Sequence, residues 1–328
     1  MIRLFQNLSE PIGLIDIGAV GDLPEHWLPF AHQLSVYGFE PDREACEKLN
    51  RQSHRFASAT FFPYAIAGKT ETRPFHFTRY GECSSLLSPD MQWLSRFSYG
   101  SWFEIARSVD LPTRSLDEVH ELEAKKIDAL KIDSQGMEVP ILRAAKNILS
   151  QVFLLEVETG VHPNYHHETT FDQLAPFLRE LGFTCMQLKT QPNQPRANHA
   201  EHWTSNKGQP MACESIWLKD LSVLPDSPHF LSQGKALRCL ALCALFGFLD
   251  FGVELCSYFF EKKVISESLQ KEFQEERAWI VQEPPRPPRI ASILAHLSHL
   301  LPTPLRRDLA RVLPEIAERP NFLKKILP

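Results

Sequence analysis

Residues 14–22 read LIDIGAVGD, an apolar run carrying one acid and closing on two nearby glycines, the pattern of a buried strand that enters a tight turn. A strand that ends in glycines and opens a helix leaves backbone N–H groups free and lets a ligand approach the main chain closely. The dinucleotide fingerprint at such a turn is Gly-x-Gly-x-x-Gly. Here its first glycine is replaced by an acid, giving Asp16-Ile17-Gly18-Ala19-Val20-Gly21.

That replacement bears on the ligand. A carboxylate facing the turn repels a pyrophosphate and suits a group with positive charge. S-adenosyl-L-methionine carries an ammonium and a sulfonium and no phosphate, so charge favours it over NAD. Further along, YGFEPD places Glu40 and Pro41 at the end of the next strand. In a doubly wound sheet an acid there accepts hydrogen bonds from ribose hydroxyls, which both cofactors own, so Glu40 alone does not choose between them. An acid after a strand also serves as the N-cap of a following helix.

Outward from this turn, strand-like runs alternate with helical patterns, the signature of a mostly parallel sheet covered on both faces. Strands are expected at 14–17, 35–39, 60–64, 127–132, 152–157, 183–188 and 214–218. TRPFHFTRYGECSSLL, residues 72–87, has a different texture and reads as an inserted ribbon. PDREACEKLNRQ sets Ala45 and Leu49 on one helical stripe. TTFDQLAPFLRELGF opens with a capping-box pattern and stops at Gly182. Beyond residue 225 no strand pattern survives; helical segments are expected near 235–260, 264–281 and 290–300, around a proline-rich connector at 282–289. The expected organisation is an α/β domain over 1–224 and a helical region over 225–328.

Composition limits the partners. Among 328 residues, 35 Lys and Arg against 40 Asp and Glu give a net charge of −5, which argues against a nucleic-acid partner. Seven scattered cysteines contain no C-x-x-C pair and read as reduced thiols. The N-terminus lacks the succession of a signal peptide, so a cytoplasmic location is expected. ALRCLALCALFGFLDFGVELCSYFF, residues 236–260, is apolar, but Arg238, Asp250 and Glu254 leave an uncharged run too short for a hydrocarbon core of ~30 Å. No membrane span is expected; the segment is a buried helix or one that faces a partner, in cis or in a homo-oligomer.

LIDIGAVGD, FEPD, PYAIAG, SSLL, TRSLDEV, DALKIDSQGMEVPILRAA and LLEVE, in this order, resemble the FkbM-type S-adenosylmethionine-dependent methyltransferases, over about residues 13–221. The resemblance implies a class I, Rossmann-like methyltransferase fold, S-adenosyl-L-methionine as cofactor and O-methylation, often of sugar hydroxyls in glycolipids, polysaccharides or natural products. It departs from the family twice: Gln135 stands where the motif Asp-x-Glu-Gly-x-Glu has its first glutamate, and Val20 where the first loop has an asparagine. The match also implies a place for Ser85 near the adenosine or the acceptor, although serines in turns are common caps.

An alcohol acceptor must lose its proton as the new bond forms, so a positioned base is sought. Asp133 ends the strand IDALKID at the sheet's carboxyl edge and is either that base or the N-cap of the helix after it. Glu156 and Glu158 alternate in FLLEVETG and share one face; each is an acceptor contact or a structural partner of Lys131. His162, His166 and His167 follow in a loop, where His162 has the right chemistry for a base and surface solvation is the alternative. Tyr64 and Ala65 border the adenine or pack in the core. No metal site is expected, because these acids and histidines lack a fixed ligand spacing. Cofactor contacts are expected from Asp16, Gly18, Ala19, Gly21, Glu40, Pro41, Tyr64, Ala65 and Ser85. The expected function is methylation of a hydroxyl on a small-molecule or glycan acceptor, against a nucleotide-dependent oxidoreductase or a degenerate cofactor-binding module whose tail mediates assembly.

Overall fold

The computed structural model describes residues 8–21, 23–197, 208–224 and 227–282. Its strands are β1 (Ile12–Ile17), β2 (Leu34–Phe39), β3 (Ser58–Phe62), β4 (Ala65–Ile66), β5 (Glu71–Thr78), β6 (Ile105–Arg114), β7 (Ala129–Ile132), β8 (Leu154–Gly160), β9 (Phe183–Thr190) and β10 (Ala212–Lys219). Seven of them form one sheet in the order β3-β2-β1-β7-β8-β10-β9, parallel except for β10, which runs antiparallel to both neighbours. This is the expected doubly wound sheet of the class I methyltransferase fold. Central β1 is buried along its whole length, as a strand covered on both faces must be. Strand order reverses between β1 and β7, so a crevice opens at the carboxyl ends of these strands.

Helices follow local capping chemistry. In α1 (Arg43–Arg51) the Asp42 carboxylate accepts from the amides of Glu44 and Ala45, and Cys46 and Leu49 are its buried residues. MEVPILRAAKNIL divides into α3 (Glu138–Arg143) and α4 (Lys146–Gln151), following the short α2 (Met91–Leu94). The break has a cause: the Asp117 carboxylate accepts from Asn147 and Ile148, capping α4 from a distant part of the chain. In α5 (Phe171–Glu180) the capping box of Thr170 and Gln173 is formed.

The inserted ribbon belongs to a second sheet of three strands, order β4-β6-β5, with β5 and β6 antiparallel. Strand β6 has no signature in the sequence because residues 105–110 are all exposed, leaving no hydrophobic alternation to read.

The apolar segment 236–260 is two helices, α6 (Gln233–Leu245) and α7 (Leu249–Glu261), separated at Gly247, whose φ of +78° suits glycine. A last helix, α8, spans Glu267–Gln282. Among the described residues no helix is long and apolar enough to cross a membrane. A division into two compact units falls between Lys271 and Glu272. Most of the connector at 282–289 and the segment 290–300 lie outside the described residues.

The tie between α6 and the sheet is electrostatic. Asp128, fully buried at the amino end of β7, meets Lys235 at 2.7 Å and the Nε of Arg238 at 2.8 Å, and accepts from the amide of Gly13. Lys235 also donates to the carbonyl of Ile127 at 2.9 Å, and Arg238 reaches Glu10 at 3.2 Å. Buried charges of this kind need every partner. Asp128→Ala is therefore expected to lower the unfolding free energy by about 3–5 kcal/mol, read from the urea midpoint, because it strands two buried cations. A loss below about 1 kcal/mol would show that this network does not hold α6.

Candidate active site

The turn after β1 is built on a close approach. Gly18 has a φ of +77°, and a Cβ there would lie 2.0 Å from the carbonyl oxygen of Asp133, so no other residue fits. The amides of Gly18 and Ala19 both donate to the carbonyl of Phe39, and the amide of Asp133 donates to that of Ile17. Three strand ends are thereby joined, and a cavity of about 650 Å³ opens above them.

Several carboxylates belong to its polar lining. Glu40 accepts from the amide of Asp42 at 2.7 Å through Oε1, while its buried Oε2 has no partner among the described residues. Burial, aided by the charges of Asp42 and Asp16, pushes its pKa up to about 7. Across the cavity, burial raises the Asp133 pKa despite the opposing pull of Lys131 and of a hydrogen bond from Gln135. Glu158 accepts from Gln191 at 2.7 Å, and burial with the nearby Asp133 charge pushes it up to about 8. Lys131 lines the cavity and is paired with Asp16 at 2.9 Å. Burial works against its ammonium, yet the Asp16 and Asp133 carboxylates outweigh that and hold its pKa above the ordinary value.

The loop Asp133–Glu138 is held from within. The Glu138 carboxylate accepts from the amides of Ser134 and Gly136 and from the Ser134 hydroxyl, and burial pushes its pKa up to about 7. Glu168, likewise pushed up by burial to about 8, accepts from the amides of Asn164 and Tyr165. Neither acid is a site residue in the sequence reading, because the local amides each one takes, two to four residues away, depend on loop conformations that leave no periodic pattern.

The remaining lining is aromatic and amide-rich. Phe75, Phe77, Tyr99 and Phe103 form a wall, and Tyr80 and Trp102 lie at the mouth with ring centroids 5.0 Å apart, 43% and 46% exposed. The carboxamides of Gln135, Asn164, Gln191 and Gln194 also line the cavity. Arg107 stacks over the Phe77 ring and pairs with Asp42 at 3.5 Å, joining the three-stranded sheet to the start of α1.

Of the residues expected at the site, Gly18, Glu40, Pro41, Ala65, Asp133 and Glu158 line the cavity. Asp16, Ala19, Gly21, Tyr64, Ser85, Glu156 and His162 do not. Asp16 acts on the cavity through its pair with Lys131 and through its charge, which opposes the ionisation of Glu40 and Asp133. Glu156 is not paired with Lys131: it accepts from the Trp27 indole at 2.7 Å and lies 3.2 Å from His26. His162 packs against Trp93, and His166 and His167 are exposed. Ser85 donates to the carbonyl of Gln135 at 2.7 Å, which makes it a brace for the loop, while Ser84 lines the cavity. Tyr64 packs with Phe39 and Phe62 under the Arg114 guanidinium. Among the described residues no group of His, Cys, Asp and Glu could hold a metal ion.

The family model described as methyltransferase FkbM domain matches residues 21–185, half of the chain. No curated protein matches it. Solved structures similar to it include magnesium protoporphyrin IX methyltransferase from Synechocystis PCC 6803 with bound SAM, at 11% identity over 66% of this chain and 73% of that one, with a TM-score of 0.34. Others are an rRNA methylase from Streptococcus thermophilus, at 12% over 66% and 92% with a TM-score of 0.33, and M. capricolum TrmK in complex with S-adenosyl-homocysteine, at 9% over 85% and 95% with a TM-score of 0.33.

The buried acids set a pH dependence. Glu40, Glu138, Glu158 and Glu168 have folded pKa values of about 7 to 8 against an ordinary 4.5, so between those limits the folded chain binds more protons than the unfolded one. Their contribution to stability is full below the ordinary value and is lost as pH rises through 7 to 8. The melting temperature of the ligand-free protein is expected to fall from pH 5.5 to pH 8.5, by about 2–4 °C for each kcal/mol lost. A rise across that interval, followed by circular dichroism, would refute the assignment.

Proposed function

The chain belongs to the methyltransferase FkbM domain family, the S-adenosylmethionine-dependent methyltransferases, and from that premise we propose that it methylates a hydroxyl oxygen of a neutral, polyhydroxylated acceptor such as a saccharide-containing molecule. The observation that carries this reading is the acidity of the cavity: among the described residues, Glu40, Glu82, Asp133 and Glu158 line it together with one cation, Lys131, which is paired with Asp16, while the Asp42 carboxylate beside them is paired with Arg107.

The residues fit S-adenosyl-L-methionine. Glu40 offers a buried acceptor oxygen with no partner among the described residues, as a ribose hydroxyl requires. Pro41, Ala65 and Phe39 offer apolar surface beside it, and the acids favour an ammonium and a sulfonium over a pyrophosphate. When bound, that cofactor supplies a methyl group on a sulfonium sulfur, which keeps the bonding pair as the methyl leaves. What remains for the protein is alignment and a proton acceptor. Asp133 takes the proton of the acceptor hydroxyl; Lys131 stabilises the carboxylate form it must have beforehand. Glu158 and the carboxamides of Asn164, Gln191 and Gln194 position the other hydroxyls, and the faces of Tyr80 and Trp102 provide an apolar platform for a sugar ring. The same acids disfavour a phosphorylated acceptor, nucleic acid included, and the dinucleotide of an oxidoreductase.

Calorimetric titration with S-adenosylhomocysteine tests the cofactor half. The intact protein binds it saturably, and Glu40→Gln weakens binding about 10- to 100-fold, the equivalent of about 1.5–3 kcal/mol for a hydrogen bond to a charged group. Asp133→Asn retains binding and loses about 100-fold or more of methyl transfer to a neutral glycan acceptor. No binding by the intact protein would overturn the reading; transfer undiminished in Asp133→Asn would remove Asp133 from it.

A further inference from the structure

Gln135 combines two features that local structure does not require. Its backbone lies at a φ of +53°, the left-handed region that an unbranched polar residue other than Asn or Asp visits rarely. Such a conformation persists only where its surroundings impose it, and here Ser85 fixes the peptide from above by donating to the Gln135 carbonyl at 2.7 Å. A glycine would meet the backbone demand without strain, as Gly136 does at the next position with a φ of +104°. The chain carries a long carboxamide there instead.

With Asp133 ionised, that carboxamide has one orientation. A carboxylate can only accept, so the amide nitrogen faces Asp133, at 2.6 Å from Oδ1. The amide oxygen then faces the hydroxyl of buried Tyr165 at 2.9 Å, whose single proton is shared between this oxygen and the Cys83 carbonyl at 2.7 Å. Tyr165 is itself held by Glu168 through its amide at 3.0 Å. A fixed chain of contacts thus runs from the Tyr165 loop through Gln135 to the cavity carboxylate.

We infer that Gln135 is a positioning residue: oriented by Tyr165, its amide aims the Asp133 carboxylate into the cavity and stabilises the ionised form that accepts a proton. The inference rests on the proposed role of Asp133. An acid in place of Gln135 would put two carboxyls 2.6 Å apart, a distance at which they share one proton and titrate as a pair. An amide keeps the donor and adds no proton. Among the described residues, the other groups facing Asp133 are Lys131, which favours its charge, and Asp16, Glu82, Glu158 and Glu138, which oppose it, with Cys83 and Tyr165 neutral around neutrality. Gln135 is the one neutral side chain among these contacts that donates directly to the carboxylate.

The test is a carboxyl carbon NMR titration of full-length protein labelled with ¹³C at aspartate, with Asp133→Asn identifying the resonance and S-adenosylhomocysteine calorimetry run on every variant. The Asp133 midpoint should rise by about one pH unit or more in Gln135→Ala, move in the same direction by less in Tyr165→Phe, and split into two coupled steps in Gln135→Glu. A merely structural Gln135 would leave the midpoint in place, and an unchanged midpoint in Gln135→Ala overturns the inference. If that variant does not fold, Tyr165→Phe, which keeps the Gln135 backbone, decides in the same way. Absence of S-adenosylhomocysteine binding by the intact protein would defeat the methyl-transfer reading separately, since the NMR midpoints are measured without any ligand.

Discussion

Gly18 runs so close to the carbonyl of Asp133 that there is no room for a Cβ between them. This contact joins the turn after the first strand to the loop after β7, and the backbone bond from Asp133 to Ile17 locks the same junction. The groups proposed to hold the cofactor and to accept the proton therefore sit on one rigid piece, at the place where strand order reverses. Reactions that depend mainly on alignment gain most from such a junction, because small displacements of the reacting groups cost large factors in rate.

Several side chains keep the second loop in register with that junction. Glu138 ties the loop to its own amides, Ser85 braces it from the insert, and Glu168 and Tyr165 hold it from the loop after β8. The arrangement carries an electrostatic tension, since several acids are buried with fewer cations than would balance them. A positively charged ligand would relieve that tension by favouring the ionised forms of these acids.

The sheet was legible because its strands are apolar runs of ordinary length, and the capped helix at 171–180 because Thr170 and Gln173 announce it. That Glu40 and Asp133 line one cavity was legible because strand ends in a doubly wound sheet converge on one edge. What could not be read depends on contacts between distant segments. Glu156 has the same local pattern as Glu158, but Trp27, 129 residues away in sequence, takes it out of the cavity. The break between residues 143 and 146 comes from Asp117, the exposed β6 has no periodicity, and the burial of Lys235 and Arg238 depends on Asp128 across the sheet.

The pair formed by Asp16 and Lys131 restricts how descendants of this chain can vary. Replacing Asp16 alone strands a nearly buried ammonium, and replacing Lys131 alone leaves Asp16 and Asp133 facing each other without a cation. Each single change passes through a less stable protein, so the two positions are free to drift only together. A lineage that adapted this turn to a phosphate would have to lose the acid and keep the lysine. In an alignment of relatives, covariation between these two positions would then mark which members still favour a cationic ligand.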